Sequence, residues 1–347
     1  MTTTQAALKL WLSKYGLIAA LALALTPTAA LAEVTEIKIT KQPGLLFAPT
    51  LLMEHHKLIE KHAEAAGVPG LKASWVTLLS GGTANDALLS GGVHVVTSGV
   101  SNMLLLWGKT NGDIKTIIGV SGLPFKMVSR NPRLKTIKDF TEKDRIALPT
   151  VRMSMQAITL GIALQKAYGD DKANEKLLAN QVQMGHPDAL TAILNPGHEV
   201  ETHFAASPFQ EIALKNPAIH TVLTSGEALG GDGHVALAYG TTKFYNENPK
   251  VVRAFLAAYE EAAAMIKTDP KTAAATYLSL VKERATIDDV VQMLTQPGAI
   301  FQAAPVNTMV YADYISPSIR FPRRFLIDGT TRYVTQRVRP NHRAESH

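Results

Sequence analysis

The chain has 347 residues, no cysteine, 46% hydrophobic and 18% charged residues, and a formal net charge of +6. This is a globular composition, long enough for two domains with cores of their own. The missing cysteines exclude disulfides, thiolate metal sites, a cysteine nucleophile and lipid attachment through an N-terminal cysteine. The basic charge sits at the ends: residues 1–32 hold two lysines and no acid, residues 315–347 hold seven arginines against Asp328 and Glu345, and the body between them is net −1. The charge therefore points neither to a nucleic-acid partner nor to an anionic ligand.

Residues 1–32 read as an export signal. Lys9 and Lys14 supply the positive region, residues 16–25 the apolar core, and Ala30, Leu31 and Ala32 a small-x-small cleavage site. That core is short for a bilayer span and Pro27 interrupts it, so the expected product is a soluble protein of the periplasm, cleaved after Ala32. Residues 35–40 alternate like a strand, Pro43 and Gly44 turn the chain, and residues 48–65 carry one helical pattern that the Gly-Val-Pro-Gly run at 67–70 ends. Residues 73–79 form the next strand. The run TLLSGGTANDALLSGGVHVVTSGVS at 77–101 is the most informative: a strand exit, a Gly-Gly turn, a helix opened by Thr83, a strand at 93–96, and a second turn in which Ser101 caps the apolar run 103–107. Strands follow at 114–120 and 125–129. Strands alternating with helices imply a mainly parallel sheet with helices on both faces, an α/β fold.

The second half echoes the first. LLSGGVHV at 88–95 returns 105 positions later as ILNPGHEV at 193–200, each a helix end, a Gly-containing turn and a strand start. Before the echo, residues 145–148 form a strand, Thr150 or Ser154 caps a helix ending near Gly169, and Pro187 starts a helix after Gly185. Two similar α/β halves are implied. Further on, Asn248 caps a helix with Pro249 first and Val252, Phe255, Tyr259, Ala262 and Ile266 on one face; Asp269 and Thr286 open two more, with Tyr277, Leu278 and Val281 buried. After Tyr314 the arginine-rich tail has almost no periodicity and is expected to be poorly ordered.

No Gly-x-Ser-x-Gly elbow, Walker lysine loop, His-Glu-x-x-His helix or Gly-x-Gly-x-x-Gly fingerprint occurs, so the usual motif routes to catalysis are absent and no cofactor is implied. His55, His56 and His62 are the densest histidine group, and a solvated helix surface explains them better than a metal site. His94 and His198 read as hydrogen-bonded structural groups. For His203, near a strand end and just before Ala205, Ala206, Ser207 and Pro208, ligand contact and a core role stand equal. Thr150, Arg152 and Ser154 offer either a helix N-terminus beside a guanidinium, suited to a carboxylate or sulfonate, or a plain cap with a surface arginine.

These residues carry a resemblance. The opening QPGLLFAP at 42–49, the run TLLSGGTANDALLSGGVHVVTSG, DIKTIIGVSGLPFKMVSRNPRLKTIKDF, ALTAILNPGHEVETHFAASPF and KFYNENPKVVRAFLAAYEEA, in that order, resemble the substrate-binding proteins of the nitrate, sulfonate and taurine (NitT/TauT) class of ABC importers over most of residues 33–314. The resemblance implies a type II periplasmic-binding-protein fold, two α/β lobes joined by two crossover strands near 122–127 and 233–238. One lobe would comprise 33–124 and 235–314, the other 125–234, with 315–347 as a tail. It implies a monomer and no enzyme: a carrier that closes on a small, anionic solute and delivers it to a membrane permease driven by an ATPase. Carried onto this sequence, the cleft falls on Gln42, Phe47, Ser80, Gly81, Gly82, Thr83, Ser98, Ser101, Thr150, Arg152, Ser154, His203 and Ser207.

The chain departs from that pattern twice. His94 stands where relatives usually have Asp, which leaves the hydrogen bonding of that strand open, and the tail does not resemble the usual ending. A pyrimidine or thiamine-precursor binding protein is the alternative. The other alternative is an enzyme on the same fold like the relatives that make the thiamine pyrimidine, which carry a cysteine-rich motif that this chain lacks, and a receptor-binding sensor is not separable from an importer component by sequence.

Overall fold

The structure is a computed structural model, and it describes residues 32–42, 44–78, 81–281 and 285–315. The proposed signal segment, Ser80 and the arginine-rich tail lie outside the described residues. In chain order the strands are β1 (Glu36–Lys41), β2 (Lys72–Thr77), β3 (Val96–Gly99), β4 (Ile114–Ser121), β5 (Lys126–Ser129), β6 (Ile146–Leu148), β7 (Gln181–Gln183), β8 (Thr202–Ala205), β9 (His220–Thr224) and β10 (Ala236–Thr241). They make a β1-β2 pair, a sheet ordered β3-β10-β4, and a five-stranded sheet ordered β7-β6-β8-β5-β9. A parallel bridge between Ile39 and Val95 ties the pair to the sheet of three.

The expected parallel pairing holds for β1 with β2 and for β6 with β7 and β8. β10 is antiparallel to β3 and β4, and β5 is antiparallel to β8 and β9. The expectation of a mainly parallel sheet is corrected at these two strands, and for a topological reason. The chain leaves β4 at its C-terminal end, crosses at residues 122–125 and enters the second sheet from the side to which β6 and β8 point. β5 must therefore run against them. β10 repeats this on the return crossing at 230–235.

The sequence echo is structural. Helix Gly81–Leu89 leads into β3 and helix His186–Leu194 into β8, in different sheets. Other boundaries moved. The single helix expected over 48–65 is two, Ala48–His55 and Leu58–Ala65, because Lys57 between them is left-handed at φ 50°. The strand expected at 93–96 begins only at Val96. The next helix, Val100–Lys109, takes Gly99 as its N-cap, so Ser101 lies buried inside it instead of capping it. Helix Met155–Tyr168 follows expectation: the Ser154 hydroxyl accepts from the Ala157 amide and Gly169 closes the helix at φ 65°. Helix Pro249–Thr268 buries the expected stripe, but Asn248 does not cap it by side chain. Its carbonyl oxygen accepts from the Val34 amide at 2.8 Å and its Nδ2 donates to the Phe244 carbonyl at 2.9 Å. Of the next helix, Tyr277 is buried, whereas Leu278 and Val281 are half-buried.

Two large apolar clusters hold the chain together. One packs Ile37, Ile39 and Val120 against helices Ala48–His55, Leu58–Ala65, Pro249–Thr268 and Pro270–Leu280. The other runs without a break from Val96, Val100 and Met103 of the sheet of three, through Phe125 and Met127, to Ile146, Leu148, Leu160 and Phe204 of the sheet of five. It also takes in Tyr311 from the last helix, Met309–Ile315. At about 1.5–3 kcal/mol per buried large apolar side chain, this shared core is a strong tie between the two sheets.

Candidate functional site

The C-terminal ends of strands from both sheets open onto one cavity of about 290 Å³. Gln42 follows β1, Ser98 and Gly99 end β3, Gln156 and Met155 belong to the helix after β6, and Ala206, Ser207 and Pro208 follow β8. This is where an α/β sheet presents ligand-binding residues. Phe125, Val235 and Ala236 of the two crossings form the floor, and Phe47, Phe209 and His186 complete the walls. The volume equals roughly ten water molecules in the liquid, room for a small solute only.

Every helix that starts at this cavity starts without an acidic or basic side chain in the lining. Among the described residues that line it, none is Asp, Glu, Lys or Arg. The polarity comes from Gln42, Ser98, Asn102, Gln156, His186, Ser207 and backbone amides. On one wall Gln42 Nε2 donates to the Thr97 carbonyl at 3.0 Å and to Ser98 Oγ at 3.3 Å, while Asn102 Nδ2 donates to Ser98 Oγ at 2.9 Å. Behind them Tyr239 Oη donates to Asn85 Oδ1 at 2.7 Å, and Asn85 Nδ2 donates to the Asn102 carbonyl at 3.0 Å. The wall is thus fixed before any solute enters. On the far wall Ser207 Oγ donates to Glu211 Oε1 at 2.9 Å and His186 stacks on Phe209, ring centroids 5.3 Å apart. Burial pushes the His186 imidazole down to about 4 and that of His203 behind it to about 3, so both are neutral at pH 7. The amides of Met155 and Gln156, in the first turn after the Ser154 cap, have no acceptor within their own helix.

Of the residues expected at the cleft, Gln42, Phe47, Ser98 and Ser207 line the cavity. Gly81 stands one layer back: a methyl group on it would come within 2.1 Å of Asn102 Nδ2, so the missing side chain lets Asn102 take its place in the wall. The other described ones do not line this cavity. Gly82 and Thr83 are exposed on helix Gly81–Leu89, and Thr150 and Arg152 are exposed on the loop before helix Met155–Tyr168. Ser101 is buried within its helix, Ser154 turns back to its own helix as a cap, and His203 is wholly buried behind His186. A capping side chain such as that of Ser154 spends its acceptor on its own first turn. Sequence reasoning missed Asn102, Gln156 and His186. All three sit in the first turn after an N-cap, at Gly99, Ser154 and Gly185, so the turn after the cap was the signal to use.

His94 also finds its role. Its Nδ1 accepts from the Lys38 amide at 3.0 Å and its ring stacks flat on Phe244, so the imidazole is a structural acceptor for the adjoining strand. His62 bonds Glu261 Oε2 at 2.7 Å, while His55 and His56 meet edge to face. No helix among the described residues is long and apolar enough to cross a membrane.

No protein-family model and no curated protein matches the chain. Among solved structures it is similar to the periplasmic aliphatic sulphonate binding protein SsuA from Escherichia coli, with a TM-score of 0.64 at 18% identity over 86% of this chain and 95% of that one. It is similar to the alkanesulfonate-binding protein SsuA from Xanthomonas axonopodis pv. citri bound to MOPS, with a TM-score of 0.62 at 17% identity over 86% and 98%. The periplasmic nitrate-binding protein NrtA from Synechocystis PCC 6803 gives 0.60 at 14% identity over 88% and 89%. These are proteins of the class that the sequence resembles. At such identities the likeness is one of fold, and the chain has the α/β periplasmic-binding-protein fold.

Proposed function

We propose that the chain is the solute-binding component of an ABC importer of the periplasm, with residues 33–124 and 235–314 as one lobe and 125–234 as the other. The observation that carries this is a small cavity at the strand ends of both sheets, floored by the two crossings, so that a change in the angle between the sheets opens or closes it. On this reading the protein captures its solute by closure and hands it to a permease driven by an ATPase. The solute is a small organic molecule with a sulfonate, carboxylate or similar acceptor group. The side-chain amides of Asn102 and Gln156, Ser98 and the backbone amides at Met155 and Gln156 supply donors, and Phe47, Phe125 and Phe209 take its carbon skeleton. An anion held this way is bound by dipoles rather than by a counter-charge. The uncharged lining also favours a second reading, a neutral pyrimidine stacked among the same rings.

A thermal-shift panel of nitrate, taurine, butane-1-sulfonate, a short carboxylate and a hydroxymethylpyrimidine separates the two. A compound present at a hundred times its dissociation constant stabilises by about 2.7 kcal/mol. We expect butane-1-sulfonate or the carboxylate to raise the melting temperature, and Gln156→Ala to weaken that effect. A response to the pyrimidine alone establishes the second reading, and no response to any member counts against the anionic solute.

A further inference from the structure

We propose that His203 is a positioning residue: by donating a hydrogen bond to His186 it fixes the proton of His186 on Nε2 and turns the amide NH2 of Gln156 into the cleft. The consequence for a solute rests on the reading that the cavity binds one. His203 touches no cavity surface, since it lies wholly buried on β8 between β6 and β5. Its Nε2 is 2.8 Å from Nδ1 of His186, and its own Nδ1 has no partner. One of the two rings must donate across that contact.

If His186 donated, its Nδ1 would carry the proton and His203 would accept at Nε2. The proton of a neutral His203 would then sit on Nδ1, a buried N–H with no acceptor. Unsatisfied buried donors are rare and carry the full desolvation penalty, whereas an under-used lone pair is tolerated more readily. The favoured arrangement is the reverse: His203 donates from Nε2, His186 accepts at Nδ1, and the only proton of His186 is on Nε2. Burial keeps both rings neutral, which preserves this single-proton arrangement. His186 Nε2 lies 3.3 Å from Gln156 Nε2. Two N–H groups cannot face each other, so an N–H on His186 there requires the amide to be turned over so that its oxygen accepts, an orientation assigned from the network. The Gln156 NH2 is left for the cavity, which Gln156 and His186 both line. The relay from His203 through His186 to Gln156 thus makes this wall a hydrogen-bond donor, and it selects solutes that bring an acceptor to it.

Ring-nitrogen NMR on the full chain, labelled at histidine and free of solute at pH 7, reads the tautomers directly, with His186→Asn used to assign the signal. We expect His186 to be protonated on Nε2 alone; a proton on Nδ1, or on both nitrogens, overturns the proposal. Calorimetric titration with butane-1-sulfonate then tests the consequence. His203→Met removes the donor and is expected to lower affinity about tenfold, the size of one lost hydrogen bond, and to shift the His186 proton towards Nδ1. His203→Gln keeps an N–H at that reach and is expected to stay within about twofold, a rescue that a merely space-filling role would not give. Equal affinity in wild type and His203→Met, with the His186 signal unchanged, overturns it. Should the substitutions prevent folding, the wild-type spectrum still decides. A wild type that binds no panel compound defeats the functional reading while leaving the tautomer result standing.

Discussion

Gly122 has no room for a side chain: a methyl group on it would come within 2.2 Å of the Gly233 carbonyl oxygen. The two residues belong to the two crossings, and the backbone of Gly122 also exchanges hydrogen bonds with Ile300 at 2.9 and 2.7 Å. Gly119 is under similar pressure from the ring of His234, at 2.4 Å. In each case the obstacle is backbone or a ring held at both nitrogens, which cannot move aside cheaply. Gly122→Ala is therefore expected to destabilise the protein by about 2–3 kcal/mol, the cost of overpacking, read as a lower urea midpoint at unchanged slope. From the sequence, Gly122 is one glycine among 24. Its neighbours across the crossing come from residues more than a hundred positions away. The same limit applies to Arg152, whose charge suggested a ligand contact although it is exposed and does not line the cavity.

Caps were the most legible parts of the elements, because the groups they satisfy lie within three residues. Ser154, Asp269 and Thr286 all cap by side chain as the sequence suggested. In helix Ile287–Thr295 the arrangement is a reciprocal box: Thr286 Oγ1 accepts from the Asp289 amide at 3.1 Å, and Asp289 Oδ2 accepts from the Thr286 amide at 3.1 Å. Lys215 of the sheet-of-five half reaches the same Asp289 at 2.8 Å, and these bonds together hold its carboxyl down to about 2. Thr286→Ala is expected to cost about 1 kcal/mol, measured by chemical denaturation, since Val290, Met293 and Leu294 of that helix are core residues. Helix continuity was less legible. Nothing in residues 48–65 demanded a break, and the left-handed Lys57 reflects how two short helices fit the core. The strand after Gly92 was misplaced because Val93 and Val95 are apolar for burial while only Val96 onward finds a partner in β10.

Across the whole molecule, acid sensitivity follows from three buried imidazoles. His234 donates from Nε2 to the Gln302 carbonyl at 2.9 Å and accepts at Nδ1 from the Val306 amide at 3.0 Å, so it is neutral by construction and stitches segment 302–306 to the second crossing. Burial pushes it down to about 4, as it does His186, and His203 to about 3. In the unfolded chain these groups titrate near 6.5. Between about pH 6.5 and 4 the unfolded state therefore binds more protons, so stability is full above that window and falls on acidification through it, by about 1.4 kcal/mol per pH unit for each histidine. We expect a steep loss in urea-unfolding free energy from pH 6.5 to 5, on the order of 3 kcal/mol per unit from the three together; a flat profile there would mean that these rings are not buried neutral.

What depends on near neighbours and on period was legible in the chain: the α/β alternation, the caps at Ser154, Asp269 and Thr286, and the repeated helix–turn–strand. Its family-like motifs also led to the right fold. Only the tertiary structure decided which polar groups face the cavity and which face away. That choice turns on long-range contacts, such as Gly81 yielding space to Asn102 and His203 standing behind His186. It also turns on the direction in which the chain enters each sheet, which made β5 and β10 antiparallel. Side-chain type and spacing specify local hydrogen bonds, but a cavity wall is assembled from the ends of strands far apart in the chain.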